Sequence, residues 1–202
     1  FFDLPTYQKA VPSLRNQDKD RWEPFIRFNP NIRLNWVYYY DSITPTPTTV
    51  IYKDNPGKNL AQLFAAEIKG GWKINPKDFK TPEEIHRMID LREERDRVVM
   101  QVKYKGKTTW LRTFEDPQMW PSEAEIGAAF KRLLHGPARV AFVNDGYERS
   151  IDKIGDRDYK VLTNLKTFRL SLISQGFEND TISLKTTDIP SNLDALVIAD
   201  PR

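Results

Sequence analysis

Two short apolar runs constrain this chain more than any other feature: ARVAFV at 138–143 and ALVIA at 195–199. Neither shows the polar–apolar alternation of a half-exposed strand. Runs of this kind are buried on both faces, as strands are inside a parallel sheet covered by helices. Between them a helical period over 158–175 places Val161, Leu165, Phe168 and Leu172 on one face, with Gly176 as its stop. FENDTISL, directly after, predicts another strand. From residue 138 onward the expected order is β-loop-α-β-β, an α/β unit with a parallel sheet.

Upstream, a helix is expected over 5–28 through Tyr7, Val11, Leu14, Trp22, Phe25 and Ile26, with Pro12 and Pro24 as points where it can break. IRLNWVYYYD predicts a strand with Ile32, Leu34, Trp36, Tyr38 and Tyr40 on one face and Arg33, Asn35 and Tyr39 on the other. The Thr/Pro stretch 44–49 reads as extended loop, and 58–69 as a helix stopped by Gly70-Gly71. Thr81, Pro82 and Glu84 spell a capped helix start, and so do Ser122 and Glu125. VVMQVKY and KTTWLRTF flank Lys105-Gly106 as a β-hairpin. The order before residue 138 is thus α-β-α-α-β-β-α. With one further strand ahead of Phe1 it becomes a thioredoxin-like order. The expected domains are 1–137 and 138–202.

Composition removes several chemistries. The chain has no cysteine, so disulfides, thiolate metal sites and cysteine nucleophiles are excluded. Its two histidines, His86 and His135, lie far apart in sequence and read as surface residues near helix ends. No serine sits in a GxSxG elbow, so no Ser-His-Asp triad is expected. No GxGxxG or GxxxxGK phosphate loop occurs. A net charge of +3 without a basic block gives nucleic-acid binding little support. The paired carboxylates Glu83-Glu84, Glu93-Glu94 and Glu123/Glu125 fit exposed helix turns, two of them first turns. No cofactor is expected.

The candidate site is the loop 144–159, which follows the first run and should lie at the carboxyl edge of the sheet, where α/β proteins bind ligands. It offers acceptors in Asn144, Asp145 and Glu148, guanidinium donors in Arg149 and Arg157, and an aromatic platform in Tyr147. Asp200 follows the last apolar run and should approach the same edge. Such a set suits a hydroxyl-rich or charged ligand. The plainer alternative is that these charges pair internally and shape a long loop, and charge-rich loops favour that reading. The aromatic strand at Trp36, Tyr38, Tyr39 and Tyr40 is likewise either a carbohydrate-stacking face or packing.

The segments VAFVNDGYERSIDKIGDRDY, LISQGFENDTISL and IPSNLDALVIADPR together resemble the GldG-like auxiliary components of ABC transport systems. In that family a strand leads into a glycine-containing loop, a "GF" turn opens the next strand, and an "IP…D-LVIA-P" segment follows. Asn144 stands where the family has its first loop glycine, and FNPNIRLNWVYYYD is similar to the family's NP-x-I lead into a strand. The resemblance implies a thioredoxin-like part followed by the start of a class I glutamine amidotransferase-like α/β part without that enzyme's activity. It also implies a place on the extracytoplasmic (periplasmic) face of the inner membrane beside an ABC permease and ATPase, with membrane spans outside these residues. The chain opens on Phe-Phe-Asp-Leu without Met and closes on Ala-Asp-Pro-Arg, and both ends read as cuts through a longer protein. The expected function is protein–protein docking without catalysis. The alternatives are a glycan-binding module using the 144–159 loop and, with less support, a hydrolase on a degenerate scaffold.

Overall fold

The structure is a computed structural model that describes residues 2–3, 12–41, 57–59, 61–62, 65, 75–91, 94, 98–146, 148–156 and 158–199. It is mixed α/β, with one parallel and one mixed sheet. Two compact units divide the chain, Phe1–Val99 and Met100–Arg202.

In the first unit β1 (Phe2–Asp3) and β3 (Phe79–Lys80) flank β2 (Val37–Tyr39), all parallel, with Phe2 opposite Val37 and Tyr38 opposite Phe79. A strand at Phe2–Asp3 thus takes the place that the expected order gave to one ahead of Phe1. Helix α1 (Pro12–Phe28) begins on Pro12, where a missing N–H costs nothing, and continues past Pro24 instead of breaking there. The strand expected over the whole of 32–40 shrinks to 37–39. A strand extends only where a neighbour satisfies its backbone, and β1 and β3 are two residues each. Tyr39, from the face expected to be polar, is the fully buried side chain. Tyr38 packs its ring 5.5 Å from that of Phe79, and Arg15 and Lys19 lie over the ring of Trp36. Helix α2 (Pro82–Met88) carries the expected capping box: the Glu84 N–H donates to Thr81 Oγ1 and the Thr81 N–H donates to Glu84 Oε2. Ile85 is its buried anchor, while Met88 is exposed. The loop 44–49 and most of the helix expected over 58–69 fall outside the described residues.

Strand β4 (Val99–Tyr104) opens on Val99, antiparallel to β1 through Phe2, and turns at Lys105-Gly106 into β5 (Lys107–Arg112). Both turn residues have positive φ, 47° and 79°, as a type I′ turn needs. The strand order is β3-β2-β1-β4-β5. Helix α3 (Glu123–His135) starts at its Ser122–Glu125 capping box, buries Ile126, Ala129 and Leu133, and ends at Gly136 with φ 88°.

The second sheet is parallel, with β6 (Ala138–Val143) between β7 (Phe177–Ile182) and β8 (Ala195–Val197). As the sequence predicts, β6 is covered on both faces. Val140 and Phe142 pack with Ile151, Leu172, Phe177 and Val197, while Ala141 and Val143 pack with Ile182, Leu193 and Leu196. Just before β8, the Arg139 N–H donates to Asp194 Oδ2 (2.8 Å) and the Asp194 N–H donates to Arg139 O (2.9 Å).

The helix expected over 158–175 is a correction: only α4 (Lys160–Thr163) forms, one turn long. The Thr163 hydroxyl donates to Tyr159 O and Ile151 O, and the chain then folds back so that the Leu172 and Ile173 N–H groups bond Leu162 O and Thr163 O. Those carbonyls are no longer available to a continuing helix. Val161 and Leu162 consequently face solvent.

What replaces the helix is a set of turns organised by Arg169. Its guanidinium meets Asp116 through Nε (2.7 Å) and Nη2 (3.0 Å), Glu125 Oε2 through Nη1 (2.7 Å), and Trp120 O through Nη2 (3.1 Å). It also lies 4.5 Å over the ring of Phe114. The bond from Arg169 holds the Asp116 carboxyl below its usual range. Gln175 Nε2 donates to Glu125 Oε1 and to Arg169 O. Gly176, at φ 91°, closes the segment where a Cβ would meet Ala128 at 3.3 Å. The Arg169 and Glu125 side chains are only 15% and 3% exposed, so removing one charge strands the other. Arg169→Gln is expected to lower stability by about 3–5 kcal/mol in urea denaturation. A loss under 1 kcal/mol (about the value of an exposed pair) would place this network at the surface.

Candidate functional site

Strand β6 delivers the loop 144–159 to the carboxyl edge of the parallel sheet, and residues after β7 and β8 reach the same edge. The Asn144 N–H continues the ladder to Ile182 O (2.9 Å). Asp145 is the centre of the loop's attachment. Ser183 Oγ donates to its Oδ1 (2.5 Å), the Leu184 N–H donates to its Oδ2 (3.2 Å), and Lys185 Nζ donates to its carbonyl (2.9 Å). These donors, Ser183 first, hold the Asp145 carboxyl below the usual aspartate range.

Glu148 turns back within the loop and accepts from the Asp145 N–H (2.7 Å). Arg149 lays its guanidinium 5.5 Å over the ring of Tyr159, and its N–H reaches Ala199 O (3.3 Å) just beyond β8. Further along, Ile151 inserts into the core at 2% exposure and Asn164 Nδ2 donates to Asp152 Oδ1. Four of the predicted residues, Asn144, Asp145, Glu148 and Arg149, therefore gather at one edge, each with a structural contact of its own. Tyr147, Arg157 and Asp200 lie outside the described residues.

The partners of Asp145 and Arg149 were not legible as such. Ser183 and Lys185 read as the tail of a strand, and Tyr159 as the lead into a helix. The signal that points to them is topological: residues just after two neighbouring parallel strands meet at one edge, so a polar residue after β7 faces one after β6.

The first unit holds a contact that the sequence reading missed. His86 Nε2, in the last turn of α2, lies 2.5 Å from Asp41 Oδ2. Asp41 is buried and the His86 side chain is 46% exposed. The two residues stand 45 positions apart, which hides the pairing from any local pattern. Nearby, burial first and then Glu83 and Glu84 raise the Tyr40 hydroxyl above its usual range.

Among the described residues no three His, Asp or Glu side chains gather as a metal site, and no helix is long and apolar enough to cross a membrane. The crevice between β5, α3 and residues 173–176 has room for about one water molecule. Comparison with protein-family models, with curated proteins and with solved structures finds no match for this chain.

The Asp145 latch has a pH signature. Because its folded pKa is depressed, its contribution is present above the unfolded aspartate value and is lost as pH falls through the folded one. Hydrogen-exchange protection of the Leu184 amide is expected to decline through that acid range. In Asp145→Ala it should be low at every pH. Equal protection in both proteins at neutral pH would show that the latch does not hold this edge.

Proposed function

We propose that this chain is a non-catalytic, extracytoplasmic auxiliary domain of an ABC-type transport complex, working by protein–protein docking. In this reading residues 1–137 form a thioredoxin-like part and 138–202 the start of an amidotransferase-like α/β part. Membrane attachment comes from segments beyond these residues, and the partners are permease or ATPase subunits or other envelope proteins on the periplasmic side of the inner membrane.

The observation that carries the reading is how the edge loop is used. Asp145, Glu148 and Arg149 are engaged by the loop's own framework, while Ile154 and Leu162 stand 66% and 55% exposed beside it. The Lys160 N–H bonds Lys153 O, which brings these two apolar side chains onto neighbouring stretches of chain. An edge whose polar groups are used internally and which exposes aliphatic side chains suits a protein surface better than a hydrophilic solute.

Two further features support it. The order β2-β1-β4-β5, with β1 and β2 parallel and β4 antiparallel to β1, agrees with a thioredoxin-like arrangement. Residues that carry the family resemblance also have structural tasks: Asp145 as the edge latch, Gly176 at the turn into β7, and Asp194 at the start of β8.

Photo-crosslinking from position 154 or 162 in native membranes tests the reading. The expected product is an adduct with an integral-membrane or ATPase subunit of a transporter, and the adduct from position 154 is weakened by Leu162→Asp. A chain recovered free of membranes with no such adduct overturns it. Saturable calorimetric heats with an oligosaccharide, abolished by Arg149→Ala, would instead favour the glycan-binding alternative.

A further inference from the structure

The β4–β5 hairpin changes character along its length. Its base belongs to the core, with Val99, Met100 and Leu111 buried. At its far end every residue from Lys103 to Thr108 is exposed. Three of those six are lysines, Lys103, Lys105 and Lys107, and none is acidic. Among the described residues no carboxylate pairs with any of the three. The aromatic of this tip is Tyr104, and the Lys105 ammonium lies 5.3 Å from the centroid of its ring.

The turn keeps a lysine where the backbone favours another residue. Lys105 has φ 47°, in the left-handed region that Asn or Gly fills more readily at the first position of a type I′ turn. Gly106 follows at φ 79°, with nothing within 4 Å of where a Cβ would stand. Charge at the tip is thus held at a backbone cost, and strain kept at an exposed position points to a use for the residue that bears it.

We propose that the tip of this hairpin, Lys103 to Lys107, is a contact for an anionic membrane surface. Lysine presents a point charge on a flexible stem without the guanidinium's fork, which suits a diffuse layer of phosphate headgroups rather than one fixed anion. Tyr104, apolar in its body and polar at its end, is of the aromatic type that rests at the boundary between water and lipid. A nucleic acid, the other common polyanion, fits less well. Lys105 occupies one face of the ring on which a base would stack, and the tip has no Arg, Asn or Gln to reach base edges. The contact does not depend on what the edge loop docks.

The test is co-sedimentation of the full chain with vesicles of phosphatidylcholine and phosphatidylglycerol, against vesicles of phosphatidylcholine alone. Binding to the anionic vesicles only, lost at high salt, is expected. Each lysine near such a surface strengthens partitioning about fivefold, so Lys103→Gln, Lys105→Gln and Lys107→Gln together should weaken it about a hundredfold. The same charge removed at the exposed Lys77, Lys131 and Lys153 should cost far less. Lys105→Asn, which suits the turn better, should lose about fivefold with folding intact. Because the chain has no cysteine, Thr108→Cys can carry a single environment-sensitive dye, whose emission should shift to the blue on the anionic vesicles. Absence of vesicle binding overturns the proposal, and tip-dependent binding of single-stranded RNA would then assign the lysines to nucleic acid. Equal binding to neutral vesicles, equal losses from the two lysine triples, or an unmoved dye also overturn it.

Discussion

A single carboxylate, Glu125, carries two obligations in the second unit. It completes the capping box that starts α3, and it accepts the guanidinium of Arg169 from a segment 44 residues later. Burial alone would push this carboxyl towards protonation, but the bonds from Ser122, Gln175 and Arg169 outweigh it and keep the charge. The turn segment around Arg169 has little helix and few apolar side chains buried completely. Its position rests on this ion pair, on the Asp116 fork and on the backbone bond from Glu115 to Thr167 O. A charge so nearly enclosed stabilises only while every partner is present, which makes this part of the fold specific but intolerant of change.

The features legible in the sequence were those written locally. Both capping boxes, the Lys105-Gly106 hairpin and the doubly buried β6 follow from neighbouring residues whose preferences agree. The failures were of a different kind. Residues 158–175 have a good helical stripe, yet buried Thr163 and the returning backbone bonds from Leu172 and Ile173 end the helix after one turn. Periodicity cannot register a competitor that arrives from tertiary contacts. In the same way 32–40 alternates well but pairs only at 37–39, because strand length is set by the neighbour. The edge loop itself was placed correctly beyond β6, whereas the Asp145–Ser183 and His86–Asp41 contacts join residues 38 and 45 positions apart and leave no local trace.

Asp145, Glu148 and Arg149 each make a contact within the edge loop's own framework. Asp145 ties β6 to the chain after β7, Arg149 ties the loop to the chain after β8, and Ile151 anchors its middle.

The reciprocal pair between Asp194 and Arg139 has a consequence for assembly. Strand β8 has only three residues, too few to select its own alignment by side-chain pattern. The two bonds sit immediately ahead of Ala195 and hold its level against Val140 at the entrance to the ladder. Alignment is thereby decided by a polar clasp at the threshold rather than by the strand, and slipped or intermolecular pairings lose the head start that a short, sticky segment would otherwise give them.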